Sequence, residues 1–222
     1  EKIMKKNEKK SLLIGSIFLA MFAVWTVLIL TVDVQPLGQN GTGIGFATFN
    51  CWFHHFTGVN MVIYTITDWM GLVLVAICLS FAGMGLVQLI KRRSLFRVDA
   101  DIMILGVYFV IVFLAYAIFE MIPINYRPIL IEGRMEASYP SSTTLLVLSV
   151  MPVLIEQIQR RLSGIGVKRI ITIAAIAFSV FMVTGRLISG VHWFTDIVGG
   201  VLLSAGLFKL YKAAVMLALK EK

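Results

Sequence analysis

A chain of 222 residues that is 59% hydrophobic and only 14% charged is not an ordinary soluble domain, in which about half the residues are apolar and about a quarter charged. Its mean hydropathy of +0.89 places it among integral membrane proteins, and its length suits one bundle with no second sizeable domain. The net charge of +8 would suggest a nucleic-acid partner in a soluble protein, so it must first be tested against topology.

Apolar runs long enough to cross about 30 Å of hydrocarbon lie at 11–32, 69–90 and 102–122, and less clean ones at 140–157, 170–188 and 197–218. The first is too long for a signal-peptide core and is read as a retained helix. Between the first and second runs, residues 33–67 contain no Lys or Arg, and Phe46, Phe49, Trp52, Phe53 and Phe56 recur at helical spacing. That stripe predicts a short helix lying in the membrane interface. Asn40-Gly41-Thr42 matches the glycosylation triplet, which matters only in a eukaryotic secretory route. The fourth run contains Pro152, which a membrane helix absorbs as a kink. Lys209 and Lys212 near the end of the sixth can snorkel to the interface. Cys51 and Cys78 make no disulfide framework and lack metal-ligand spacing. With no internal repeat or linker, the expected fold is all-α: six transmembrane helices and a short interfacial helix in a single domain over 1–222.

Six spans put the N-terminal tail, the loops near 91–97 and 160–169, and the C-terminal stretch on one side. These segments hold seventeen of the 20 lysines and arginines, leaving only Arg127, Arg134 and Arg186 on the other. By the positive-inside rule both termini are cytoplasmic. The net charge is then explained by topology, and no nucleic-acid partner is needed. The short tails and loops point to a bacterial plasma membrane.

Polar residues that topology leaves unexplained mark function in such a chain. They cluster in three outer segments: Asn125-Tyr126-Arg127-Pro128, the stretch from Ser138 to Thr144, and the stretch from Gly185 to Asp196. Each ends or begins a different helix, so they can converge on one pocket. His192 and Asp196 are four apart, on one face of a helix. An aspartate there can accept a hydrogen bond from one imidazole nitrogen and leave the other as nucleophile. Arg127 and Arg186 offer planar donor forks for phosphate oxygens. Pro140-Ser141-Ser142 opens a helix with hydroxyls and free N–H groups, an anion site. Each residue also has a structural reading: an interfacial arginine snorkels, a serine caps, a His–Asp pair braces a turn. Joint occurrence on one membrane face is what points to phosphoryl transfer through a phosphohistidine.

At these residues the sequence resembles the type 2 phosphatidic acid phosphatase (PAP2) superfamily. The family pattern is a Lys, six residues, Arg-Pro, then Pro-Ser-Gly-His, then Ser-Arg, five residues, His, three residues, Asp. Arg127-Pro128, Pro140-Ser141 and Arg186, His192 and Asp196 match it in order and spacing. The resemblance implies that His192 attacks phosphorus and Asp196 orients it. It also implies that Arg127, Arg186, Ser141 and the N–H of Ser142 hold the phosphoryl oxygens. The activity implied is that of a membrane lipid phosphatase acting at the outer face without metal or other cofactor, on a phosphorylated membrane lipid.

Three departures from the pattern bear on the inference. Glu120 stands in the place of the Lys, Gly185 in that of the Ser, and Thr143 in that of the histidine that acts as general acid. A hydroxyl cannot replace imidazolium, and general acid–base catalysis contributes about 10²–10⁴-fold. The loss matters least when the leaving group is itself a phosphate, so diphosphate lipids such as undecaprenyl diphosphate are the expected substrates. His54, His55, Glu120, Glu132 and Glu136 are the candidate replacements for the acid. Two non-enzymatic readings stay open: an inactive relative that binds phosphorylated lipids, and a transporter. Retention of His192 with Asp196 favours the enzyme over the binder. The arginines sit at one interface rather than at midplane, which counts against the transporter.

Overall fold

The computed structural model describes residues 2–219, with side chains from Lys6 onward. Lys220 and Lys222, counted above for orientation, lie outside those residues, as do the side chains of Lys2 and Lys5. The described chain forms seven α-helices: α1 (Lys2–Thr31), α2 (Ala47–Thr57), α3 (Met61–Arg92), α4 (Ala100–Met121), α5 (Ser142–Arg161), α6 (Ile165–Ile188) and α7 (Phe194–Ala218). All except α2 are long and apolar enough to cross a membrane. The protein is a multi-pass, all-helical membrane protein.

Hydropathy located all six spans but not all of their ends. α3 begins at Met61, eight residues before the expected 69, because Asn60 caps it by accepting the Ile63 N–H at 3.1 Å. Its first two turns carry Thr65, Thr67 and Asp68, polar residues that an apolar window rejects. α5 begins at Ser142, with Ser141 as N-cap.

α5 is the axis of the bundle and touches α3, α4, α6 and α7. Leu145, Val147, Val150 and Val153 on it are fully buried, as are Leu74 on α3, Leu105 and Val112 on α4 and Met182 on α6. Large apolar side chains such as Leu13, Trp69, Ile90 and Ile165 are exposed, as lipid-facing residues are. α1 runs along α7 with small residues at the contact: a Cβ on Gly15 would meet the Leu210 side chain at 2.9 Å, and one on Gly206 would meet Leu19 at 2.7 Å. Such close approach is how helices associate where lipid supplies no hydrophobic drive.

The chain between α4 and α5 is a narrow ribbon. A two-residue turn at Glu132-Gly133, both at positive φ, closes hydrogen bonds between Ile131 and Arg134. This is the turn geometry that suits a two-stranded return. Arg127 N–H then donates to the Glu136 carbonyl, and Ser138 N–H to the Asn125 carbonyl. The ribbon thus sets Asn125 beside Ser138 over the starts of α5 and α7. The turn after α6 is equally tight: Gly190 has φ 69°, and a Cβ there would lie 2.0 Å from the Gly58 carbonyl oxygen. That contact seats the α2–α3 junction on the 189–193 turn.

Candidate active site

The starts of α3, α5 and α7 and the ends of α4 and α6 meet at one end of the bundle. His192 lies in the turn before α7, in the first turn of which Asp196 stands. Both are buried, 3% and 0% exposed. The direct hydrogen bond expected between them is not formed: His192 Nδ1 and Asp196 Oδ2 are 3.9 Å apart. Ser138 stands between. Its carbonyl oxygen and its hydroxyl are each 3.1 Å from His192 Nδ1, and its hydroxyl donates to Asp196 Oδ2. A carbonyl can only accept, so Nδ1 carries the ring proton and Nε2 has the free lone pair. Asp196 is held in turn by the Asn125 amide (3.2 Å) and the Trp193 backbone N–H (2.9 Å). Asp196 therefore acts on the imidazole through Ser138 and also caps α7.

His192 Nε2 is buried and has no hydrogen-bond partner. Arg127 Nε and Nη1 and Arg186 Nη1 are in the same condition. Buried polar groups almost always find partners, so orphaned guanidinium nitrogens together with a bare imidazole nitrogen mark a place built for an anion. Glu136 Oε2 stands 3.1 Å from Arg127 Nε, close enough for an ion pair but at an angle that makes no hydrogen bond. Arg186 donates from Nε to Thr143 Oγ1 (2.9 Å) and from Nη2 to Asp68 Oδ1 (2.7 Å). Both guanidiniums lie over the Tyr64 ring, 5.8 Å and 4.8 Å from its centroid, close enough for cation–π attraction. Burial first, then the charges of Arg127 and Arg186, hold His192 well below the usual histidine value, against the opposing pull of the Ser138 carbonyl. Both effects favour the neutral imidazole.

Ser141 is buried, and its hydroxyl accepts the Thr144 N–H at 3.4 Å as the cap of α5. Its own N–H donates to the Asp196 carbonyl at 3.0 Å. Ser142 is half-buried and lines a cavity of about 220 Å³ with Thr143, Gly71, Leu74, Val112 and Tyr116. This cavity shares Phe113 with a larger apolar cleft of about 770 Å³ between α3 and α4. Glu120 is exposed and shares a narrow crevice with Pro140 and Ser142.

The sequence profile of the PAP2 superfamily matches residues 76–218, well over half the chain. The chain belongs to the PAP2 superfamily. No curated protein matches the chain. Among solved structures it is similar to a transmembrane PAP2-type phosphatidylglycerolphosphate phosphatase from Bacillus subtilis, with a TM-score of 0.58 at 18% identity, over 90% of this chain and 94% of that one. At that identity the likeness is one of fold.

Seen as a PAP2 chain, the departures acquire physical reasons. Gly185 stands where a serine is common because α6 presses on α3 there: a Cβ at 185 would lie 2.7 Å from Thr67 Cγ2. Thr143 is a ligand of Arg186. His54 points its Nε2 at the Gly190 carbonyl at 3.0 Å and packs on Trp193, while His55 is exposed. Four residues of the site went unassigned in the sequence. Ser138 and Asn125 sat inside the singled-out segments without a role. Tyr64 and Asp68 lay just outside the second apolar run, where a Tyr and an Asp one helical turn apart were the available signal.

Proposed function

We propose that this protein is a membrane lipid phosphatase that works through a phosphohistidine on His192 Nε2. The observation that carries the proposal is the convergence of that buried, unpartnered nitrogen with the unpartnered nitrogens of Arg127 and Arg186 at the start of α5. A phosphoryl group there would meet two guanidiniums and the helix N-terminus, including the Ser142 N–H, which stabilise the charge that develops in transfer. Nε2 attacks phosphorus and the lipid leaves. The charge gained by the imidazole is balanced by Asp196 through Ser138, and water then releases phosphate. The arginines and the helix end take the electrostatic role that a metal plays in other phosphatases, so turnover in chelator is expected.

The apolar cleft between α3 and α4 supports a substrate with long chains, since it runs up to the cavity bounded by Ser142 and Thr143. Orientation is inferred from charge: the end opposite the site carries most of the basic residues and is assigned to the cytoplasm, with both termini. That places the site at the outer face of a plasma membrane, with α2 lying in the interface beside it. The whole of 1–222 is read as one domain. Thr143 cannot act as an acid, and a phosphate leaving group needs less help from any acid than an alkoxide does, so undecaprenyl diphosphate is the substrate we infer, with monoesters turned over only where another group supplies the proton.

The test is phosphate release by the detergent-purified protein on undecaprenyl diphosphate, phosphatidic acid and phosphatidylglycerophosphate. His192→Ala should lower release by about 10⁴-fold or more, as loss of a covalent nucleophile does. Release that survives the substitution would refute the phosphohistidine. An inactive wild type that still binds these lipids would make the protein a lipid-binding relative.

A further inference from the structure

The hydroxyl of Thr143 occupies the place of the family's acid, and the structure sets a carboxyl group on the same arginine. The Nε and Nη2 of an arginine form a parallel two-donor fork. On Arg186 that fork is divided: Nε donates to Thr143 Oγ1 and Nη2 to Asp68 Oδ1. Both acceptors sit on one guanidinium, which holds the Asp68 carboxyl near the position where the acid is missing. The Asp68 side chain is 57% exposed while that of Arg186 is 3% exposed, so the carboxyl reaches from the buried guanidinium to the surface of the bundle. Asn60 caps the helix that carries it, and Thr67, its neighbour in sequence, is packed on Gly185, so its place is fixed.

The other candidates are engaged or misplaced. The His54 ring is held by Gly190 and Trp193, and Glu136 faces Arg127. Glu132 lies in the ribbon turn and His55 in the open. Glu120 faces Pro140 and Ser142 rather than Arg186.

We propose that Asp68 is the general acid and base of this enzyme. The proposal rests on the phosphohistidine reading above. An incoming phosphoryl oxygen at the free Nη1 of Arg186 brings a second anion to the guanidinium that already holds Asp68 on Nη2, and a proton on the Asp68 carboxyl relieves the repulsion between them. In the first step the Nε2 lone pair of His192 forms the N–P bond, the P–O bond to the lipid breaks, and the leaving oxygen takes the Asp68 proton. In the second, water attacks phosphorus and gives a proton to the Asp68 carboxylate, and the N–P bond breaks with its electron pair returning to Nε2. The products are the lipid alcohol and phosphate, and Asp68 regains its proton. A diphosphate substrate, whose leaving group is a weak base, draws little on this step.

The experiment compares the full-length wild type with Asp68→Asn, Asp68→Glu and Glu120→Gln on two phosphomonoesters, phosphatidic acid and 4-nitrophenyl phosphate. Asparagine keeps an oxygen for Arg186 Nη2, so the guanidinium stays held. Asp68→Asn should lower kcat/KM on phosphatidic acid by on the order of 10²–10³-fold while changing that on 4-nitrophenyl phosphate by less than about threefold, because a good leaving group needs no acid. Asp68→Glu should recover part of the loss. Equal losses on both esters would make Asp68 only a brace for Arg186 and overturn the proposal. A silent Asp68→Asn, or a leaving-group-selective loss in Glu120→Gln instead, would overturn it as well. A wild type inactive on both esters and on undecaprenyl diphosphate would overturn the phosphatase reading itself, an outcome distinct from a silent variant of an active enzyme.

Discussion

The two ends of the bundle use their arginines in opposite ways. At the end away from His192, Arg92 pairs with Asp99 at 2.7 Å, and Arg161 pairs with Asp101 at 2.6 Å and reaches Gln157 at 2.8 Å. Gln157 continues to the Tyr211 hydroxyl at 3.0 Å, and Glu156 takes both Arg160 and Lys212. Each of these charges has a partner, and together they tie α3, α4, α5 and α7. At the site end the guanidiniums of Arg127 and Arg186 keep buried nitrogens without partners. Saturated charges hold helices together, whereas unsaturated ones keep donors free, which is what the proposed phosphate site requires. What sets the site end apart is how few partners its buried guanidinium nitrogens have.

An exchange of arginine for lysine at each end should break the comparison open. Arg186→Lys loses the fork and should cost activity about 10²-fold with little change in melting temperature, as removal of one oxyanion donor does. Arg161→Lys should leave kcat intact and lower stability by about 1–2 kcal/mol, the range of a partly buried pair that loses part of its geometry. Steady-state kinetics and thermal unfolding in detergent read both, and equal behaviour at the two ends would refute the distinction.

Within the site, Ser138→Ala sharpens it further. The Ser138 carbonyl would still hold His192 Nδ1, but Asp196 would lose its link to the ring, so kcat should fall by about tenfold with KM nearly unchanged. A loss as large as that of Asp196→Asn would mean that the hydroxyl carries the whole effect of the carboxylate.

The pH profile tests the neutral imidazole. Protonation removes the nucleophile, so activity is lost as pH falls through the His192 value. That value is pushed well below the usual one by burial and the two arginines. Turnover should therefore persist at about pH 6, where an ordinary histidine is mostly charged. An acid limb centred near the ordinary value would show that water reaches the ring.

The smallest effect concerns packing. Gly185→Ala should push α6 from α3 and weaken the Asp68–Arg186 pair, costing activity by about threefold to tenfold, within the range for a small misplacement at a site. Thr67→Ser removes the methyl that a new Cβ would strike, so the double variant should recover. A double variant no better than Gly185→Ala would locate the strain elsewhere.

Much of this protein was readable along the chain because its strongest signals are local. Hydropathy located six helices since each must satisfy its own backbone in lipid. The spacing from Arg186 to His192 to Asp196 marked one wall of the site because those residues follow one another through the end of α6, a short turn and the start of α7. What the chain did not display were contacts made across it. Ser138 between His192 and Asp196 depends on a ribbon that folds Asn125 back beside it. Asp68 on Arg186 depends on α3 packing against α6 at Gly185, 118 residues apart in sequence for that pair. Whether an arginine is saturated or free, and which carboxyl shares Arg186 with Thr143, follow from which helix ends meet. Local order sets residue spacing along a helix, but only packing sets the distance between helices, and the chemistry of this site is decided by those distances.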